Sequence, residues 1–390
     1  MAEFDEEFIE RTAALARKVL LHNRRGPCGG LPRAAGWGYP EPYTRDLLIC
    51  GLAALATSDR VLISTLRKVL STLAAHRSPR GHIPSLVHDP NDRGASDTTP
   101  LFLMLLGMYR RAMGKKSFLD KAARAALTWM SYQSPEDEVM VSQLPTTDWR
   151  DEQWVLGYGL YVNTLVYAYL RLFAQHERAE QLARLMQRHT ITENAQPRHV
   201  KEGLAVMYVP YYALWSFKLY SSTRFDLVGN SLAVLTGLAP ATRARAIIDW
   251  VEEECEGLRR SGDLVGDLPP VFFPYIQPTD PEWSSRYEQH NPPGRYHNGG
   301  IWPFACGFYV AACVAVGRQE LARERLMALA RALRPARSAE LEFGFNEYLQ
   351  AQTGQAGGHD WQSWSAAMFL YALQCVREER TPLFEEMRAA

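Results

Sequence analysis

Six stretches of the chain gather side chains suited to binding and protonating a polyhydroxylated ligand. They are PYTRD (42–46), ASDTT (95–99), TTDWRD (146–151), YHNGGIWP (296–303), FNEYL (345–349) and HDWQSW (359–364). Most set a carboxylate or amide beside an aromatic ring. Hydroxyls need bidentate Asp, Asn and Arg partners, and apolar ring faces need flat platforms. Each stretch also lies at or just before a helical segment, where free N–H groups and the helix dipole favour a carboxylate. Asp46, Asp97 and Asp148 therefore fit equally as helix caps when each is taken alone. Together the clusters point to one cleft.

Other chemistries are absent from the string. It holds no GxxxxGKS/T loop, no HExxH and no GxSxG elbow. GYGLYV (157–162) lacks the third Gly of a dinucleotide fingerprint. The 43 basic and 43 acidic residues cancel, which argues against electrostatic capture of nucleic acid or an anionic membrane. Six scattered Cys form neither a zinc ribbon nor a disulfide framework. No motif implies a metal or an organic cofactor. The first twenty residues read as an amphipathic helix rather than a signal peptide, and a cytoplasmic protein is expected.

The elements that must position the clusters are helices. Periodicity predicts them over Glu6–His22, Arg45–Ala56, Asp59–Ala75, Thr98–Met113, Ser117–Tyr132, Trp154–Ala174, His176–Arg188, Phe225–Leu238, Pro240–Glu256, Ile301–Val316, Gln319–Leu333 and Trp361–Glu378. Ser117 and Ser58/Asp59 fit N-caps, and Gly107, Gly114 and Gly317 fit helix ends. Residues 206–220 read either as a helix interrupted at Pro210 or as a strand pair. Short turns join the helices in pairs, and long loops (24–44, 77–97, 134–153, 190–224, 257–300, 334–360) separate the pairs. This is the pattern of six stacked hairpins in one domain, 1–390, with the loops on one face.

YHNGGIWP, an apolar helix, FNEYL and WQSWSAA, in that order, resemble the C-terminal half of the alkaline/neutral invertases. TRD (44–46), SDTT (96–99), TTDWRD (146–151) and RFDLVGN (224–230) resemble that family's upstream segments. Glycogen-debranching amylo-1,6-glucosidases and the glucosyl- and mannosylglycerate hydrolases look like more distant relatives. The resemblance implies an all-α (α/α)6 barrel and an inverting glycoside hydrolase, with the two carboxyls about 6.5–9.5 Å apart. On that reading Asp148 is the general acid, with Asp151 its rival, and Glu347 is the base, with Glu342 its rival. Tyr43, Arg45, Asp46, Asp97, Trp149, Asn163, His297, Asn298, Trp302, Tyr348, Gln362 and Trp364 would contact substrate. Trp361 fits platform or core, and Glu202 is an unassigned carboxylate.

The chain departs from the family pattern at Gly159–Asn163, Asn346 and Trp361. Tyr161 and Val162 stand where invertases offer a Glu to the leaving group. Arg24, Arg25 and Arg33 could instead meet an acidic one. The expected partner is a small carbohydrate, with sucrose ranked first and an α-1,6-glucoside or glucosylglycerate as alternatives. The resemblance also allows a homo-oligomer. The rival classes are a sugar 2-epimerase, which needs paired His such as His297 and His359, and a non-catalytic carbohydrate-binding barrel.

Overall fold

The computed structural model describes residues 4–89, 91–92, 94–134, 139–190, 203–218 and 220–389. In chain order the elements are α1 (Glu6–Asn23), β1 (Ala35–Trp37), α2 (Thr44–Ala56), α3 (Arg60–Ala75), α4 (Thr98–Ala112), α5 (Asp120–Ser131), β2 (Tyr158–Gly159), α6 (Leu160–Leu172) and α7 (His176–Met186). There follow β3 (Ala213–Phe217), β4 (Tyr220–Asp226), α8 (Leu227–Thr236), α9 (Ala241–Ser261), β5 (Phe272–Phe273), α10 (Tyr287–His290), α11 (Pro303–Ala315) and α12 (Gln319–Ala332). The last are β6 (Tyr348–Leu349), β7 (Ala356–Gly357), β8 (Asp360–Gln362), α13 (Ser363–Glu378) and α14 (Glu385–Ala389).

Helix packing follows from two kinds of helix surface. α3 buries only a stripe (Leu62, Leu66, Val69, Leu70, Leu73), as a helix with solvent on one side does. α11 (PFACGFYVAACVA) is buried almost all round. The buried type packs in succession: α2 on α4, α4 on α6, α6 on α8, α8 on α11, α11 on α13, and α13 back on α2. Each carries a partner outside, namely α3, α5, α7, α9, α12 and, for α13, the N-terminal α1. Gly107 sits inside α4 rather than ending it, because a Cβ there would stand 2.8 Å from Leu172 Cβ of α6. Among the described residues no helix is long and apolar enough to cross a membrane.

The loops are more structured than helical periodicity shows. A four-stranded sheet, β2-β3-β4-β5, lies among them, with two-stranded pairs β1-β8 and β6-β7. The all-α expectation therefore holds for the helical framework and not for the loops. Residues 206–220 include β3 and the start of β4, so the strand pair is the correct alternative. Helix starts also move: α6 begins at Leu160 and α8 at Leu227, because the residues before them are extended strands. Asp59 caps α3 through Val61 and Leu62 N–H. Ser117 does not cap α5, whose N-cap is Leu119 in the left-handed region.

Candidate active site

Four of the six long loops, with the helix starts that follow them, meet around a cavity of about 470 Å3 including its mouth. Loop 24–43 and α2 supply Ala34, Tyr39, Tyr43, Arg45 and Asp46. The loop before α6 supplies Trp149 and Asp151, and the loop before α11 supplies Tyr296, His297 and Trp302. Glu347, Gln362 and Trp364 complete the wall. Four residues of the stretches around it, Thr146, Tyr296, Phe345 and Trp361, take positive φ (57°, 42°, 44° and 57°). Non-glycine residues hold that conformation only where surrounding structure imposes it. A second cavity, between α1, α2 and α3, is almost wholly apolar and holds no carboxylate.

Three carboxylates face the cavity. Glu347 is buried, only 5% exposed, and its Oε2 accepts from the His359 N–H at 3.2 Å. Burial, then the charges of Asp46 and Asp151, push it up to about 8. Gly358 makes the fit possible: its φ is +70°, and a Cβ there would lie 2.0 Å from Glu347 Oε2. Burial likewise raises Asp46 to about 7, against the pull of Arg45. Asp151 stands at the mouth with its side chain 64% exposed, 3.9 Å from His297 Nε2. The protein mass around the pocket still raises its pKa, against Arg45 and with help from Glu152 and Asp148. Arg45 is the counter-cation. Burial opposes its charge, but Asp97 more than offsets that.

The remaining wall is aromatic, with polar atoms left over. Tyr296 stacks on His297 (4.0 Å, 29°), Trp302 also lies stacked against His297 (5.4 Å, 21°), and Tyr296 and Trp302 meet at 5.1 Å, so the three rings form one cluster. Trp149 meets His297 and Trp302 edge-on at 5.2 and 5.3 Å. Burial holds His297 well below its usual pKa, so its ring is neutral. Four buried polar atoms on these lining residues have no protein partner: Trp149 Nε1, His297 Nδ1, Gln362 Oε1 and Trp364 Nε1. Leaving such atoms unmet is costly, and all four belong to residues that border the cavity. Among the described residues no group of three or more His, Cys, Asp or Glu could hold a metal ion.

Nine of the expected site residues line this cavity: Tyr43, Arg45, Asp46, Trp149, His297, Trp302, Glu347, Gln362 and Trp364. Asp148 does not. Its carboxylate is fully buried and taken by the Arg150 N–H (2.7 Å), Arg150 Nη2 (2.9 Å) and Gln143 Nε2 (3.2 Å). Burial would raise it, yet these partners hold it below the usual carboxylate value. In this structure Asp148 is an ion-pair partner inside the protein, and its rival Asp151 is the carboxyl that lines the cavity. Asp97 is also a supporting residue, fully buried against Arg45. The amides of Asn163 and Asn298 are used on backbone, at Val141 and Gly159 and at Ile276 and Asn291. Tyr348 stacks behind Trp302 at 5.7 Å.

Glu342 pairs with Arg11 on the surface, so it is no rival base. Trp361 braces the loop through its Nε1 to Phe343 O. Tyr161 and Val162 are buried in α6 and do not line the cavity. Arg24, Arg25 and Arg33 do not line the cavity, and Glu202 lies outside the described residues. Tyr39 and Tyr296 are lining residues absent from the expected set. Tyr296 opens the YHNGGIWP stretch and was legible there, whereas Tyr39 sits in a Gly/Pro-rich loop without a pattern.

Residues 219–379 match the family model for alkaline and neutral invertase. That segment is similar to the invertases. The chain is 31% identical over 161 residues to cytosolic invertase 1 of Oryza sativa subsp. japonica, covering 40% of this chain and 26% of that protein. It is 31% identical over 159 residues to probable alkaline/neutral invertase D of Arabidopsis thaliana, covering 40% and 27%. The invertase-like segment thus spans about a quarter of the length of these relatives. It contains Tyr296, His297, Trp302, Glu347, Gln362 and Trp364, and it excludes Tyr39, Arg45, Asp46 and Asp151. The fold extends further. A mannosylglycerate hydrolase from Thermus thermophilus aligns over 92% of this chain and 99% of its own, at 16% identity and a TM-score of 0.62. A bacterial glucoamylase complexed with acarbose aligns over 98% of this chain and 58% of its own, at 15% identity and a TM-score of 0.66.

Proposed function

We propose that the chain is an (α/α)6-barrel glycoside hydrolase that cleaves an α-glucoside with inversion, using Asp151 as acid and Glu347 as base. One observation carries the reading. A single cavity sets Asp46, Asp151 and Glu347 around stacked aromatic rings and four unpartnered polar atoms. The ring of closed helix contacts and the shared fold support the barrel. Roles follow from depth. The leaving-group oxygen of a pocket-bound sugar points to the mouth, where Asp151 stands. The water that attacks from below needs a base on the enclosed side, where Glu347 is held. Arg45 and Asp46 clamp hydroxyls of the ring, with Tyr296 and Trp302 beneath it. Sucrose ranks first, because the invertase-like segment supplies the base and most of the aromatic wall. The epimerase reading asks for two pocket histidines, and only His297 lines the cavity among the described residues.

The test is a panel of sucrose, an isomaltose-type substrate and a glucosylglycerate, with glucose detection and NMR of the first-formed anomer. An α-glucoside cleaved with inversion releases β-glucose first. Release of α-glucose first would mean retention and sink the assignment.

The same carboxylates set the pH response. The productive form carries a proton on Asp151 and none on Glu347. Activity therefore falls on the acid side as the base gains a proton, and on the alkaline side as the acid loses one. Because the groups share a field, the limbs belong to the set rather than to single residues. Because the base, Glu347, is raised to about 8, the productive form is a minority protonation state, and the limbs of kcat/KM fall at the macroscopic values of the set: the upper near pH 8 and the lower above the ordinary carboxylate range. A profile flat from pH 5 to 10 would contradict this.

A further inference from the structure

Among the described residues, two of the six long loops, 77–97 and 190–224, supply nothing to the cavity lining. The first ends on a buried carboxylate directed at a neighbouring arginine, and a second such carboxylate follows the other loop at the end of β4. Asp97, at the start of α4, takes Arg45 Nε and Nη2, and Arg45 Nη2 also donates to Asp148 O at 2.8 Å. Asp226, at the end of β4, lies 2.8 Å from Arg150 Nη1, and Arg150 Nη2 lies 2.9 Å from Asp148 Oδ2. The side chains of Arg150, Asp148 and Asp226 are 1%, 0% and 0% exposed. Arg150 is also the residue between Trp149, which it covers at 5.1 Å, and Asp151. Its guanidinium thus fixes the short segment whose flanking side chains form the cavity wall and carry the acid.

We propose that Asp226 is a positioning residue: through Arg150 it locks the segment 148–151 and so sets where the Asp151 carboxyl stands. Asp226 touches no part of the cavity, and nothing in the similarity to invertases gives it a role. Its effect on rate rests on the hydrolase reading, while its effect on the loop does not. The residue also caps α8, accepting from Val228 N–H (3.2 Å) and Gly229 N–H (3.1 Å). That second duty allows the two roles to be separated. Asn caps helices about as well as Asp, so Asp226→Asn keeps the cap and removes the charge opposite Arg150. Arg150→Lys keeps the positive charge and loses the planar fork that spans two carboxylates.

The decisive experiment is hydrogen–deuterium exchange of the full chain, followed in the peptide covering 144–154, beside kcat and KM. In Asp226→Asn that peptide is expected to exchange about ten-fold faster while α1 and α12 are unchanged. Against the α-glucoside that the wild type cleaves, kcat should fall about ten- to a hundred-fold, and KM should change far less, because Asp46 and Gln362 are held by other elements. Arg150→Lys should behave alike, and it supplies the answer if Asp226→Asn does not fold. Unchanged protection of 144–154 in a folded variant overturns the proposal. Equal loss of protection throughout the chain also overturns it, since that would leave Asp226 as a cap only. If the wild type cleaves no α-glucoside, the hydrolase reading falls and the exchange arm still decides the role of Asp226.

Discussion

Asp151→Asn and Glu347→Gln are each expected to lower kcat by about 10²–10⁴-fold, the usual weight of a positioned proton-transfer group, without loss of the fold. Both side chains line the cavity, and neither anchors the core. Asp151 is solvent-facing at the mouth. Glu347 accepts a single N–H, which Gln can still receive. Removing Glu347 should even help the fold at alkaline pH. A carboxyl raised to about 8 binds its proton more tightly in the folded state. Its favourable contribution is complete below its unfolded value and is lost as pH rises through about 8. Above that, the wild type keeps a buried charge that Glu347→Gln lacks. The variant should therefore melt higher than the wild type at pH 9, with little difference or the reverse near pH 4. Circular dichroism melts at the two pH values, beside turnover of the best α-glucoside, check both parts. Near-wild-type kcat in either variant would remove that residue from its role.

The division between what was legible in the sequence and what was not has physical causes. The helical framework was legible because an outer helix such as α3 repeats Leu62, Leu66, Val69, Leu70 and Leu73 on one side. α11 was legible as a run too apolar for any surface position. The cavity wall around His297, Trp302, Glu347 and Trp364 was legible because those residues sit in dense, ordered motifs. The choice between Asp148 and Asp151 was not. They stand three apart in one loop, and only the backbone decides which turns inward. Thr146, at φ 57°, bends the loop so that Asp148 enters the interior and meets Arg150. One signal was present in the string. An arginine beside a cluster of carboxylates and aromatics needs its own counter-charges if it is buried, so one of the two Asp flanking Arg150 had to be spent on it. The small sheet stayed hidden because β2 and β5 are two residues each, too short for any alternation. Asp97 looked like a cap, and only its partner 52 residues away in sequence distinguishes it.

Asp148 provides the sharpest contrast, because its loss should act on stability before it acts on chemistry. Its two oxygens answer Arg150 N–H, Arg150 Nη2 and Gln143 Nε2, all of them out of reach of water. Asp148→Ala would leave a buried guanidinium with Asp226 alone and orphan a backbone N–H and a side-chain amide. Breaking a buried pair from one side costs about 3–5 kcal/mol, a large part of the stability of an ordinary domain. Asp148→Asn keeps an acceptor for the Arg150 N–H but turns an amide group or a neutral oxygen toward the guanidinium, so it should cost less than Ala and still be clearly destabilising. The sign with pH is fixed by the lowered pKa: the contribution is present above the unfolded carboxylate value and is lost as pH falls through the lower folded one. Urea unfolding at pH 7 should show the midpoint falling in the order wild type, Asn, Ala, and the gap to wild type should shrink in strong acid. The molecules that stay folded should lose activity only as far as segment 148–151 is displaced. A fully stable Asp148→Asn protein with kcat down by more than about 10²-fold would reverse the assignment and return the proton-donor role from Asp151 to Asp148.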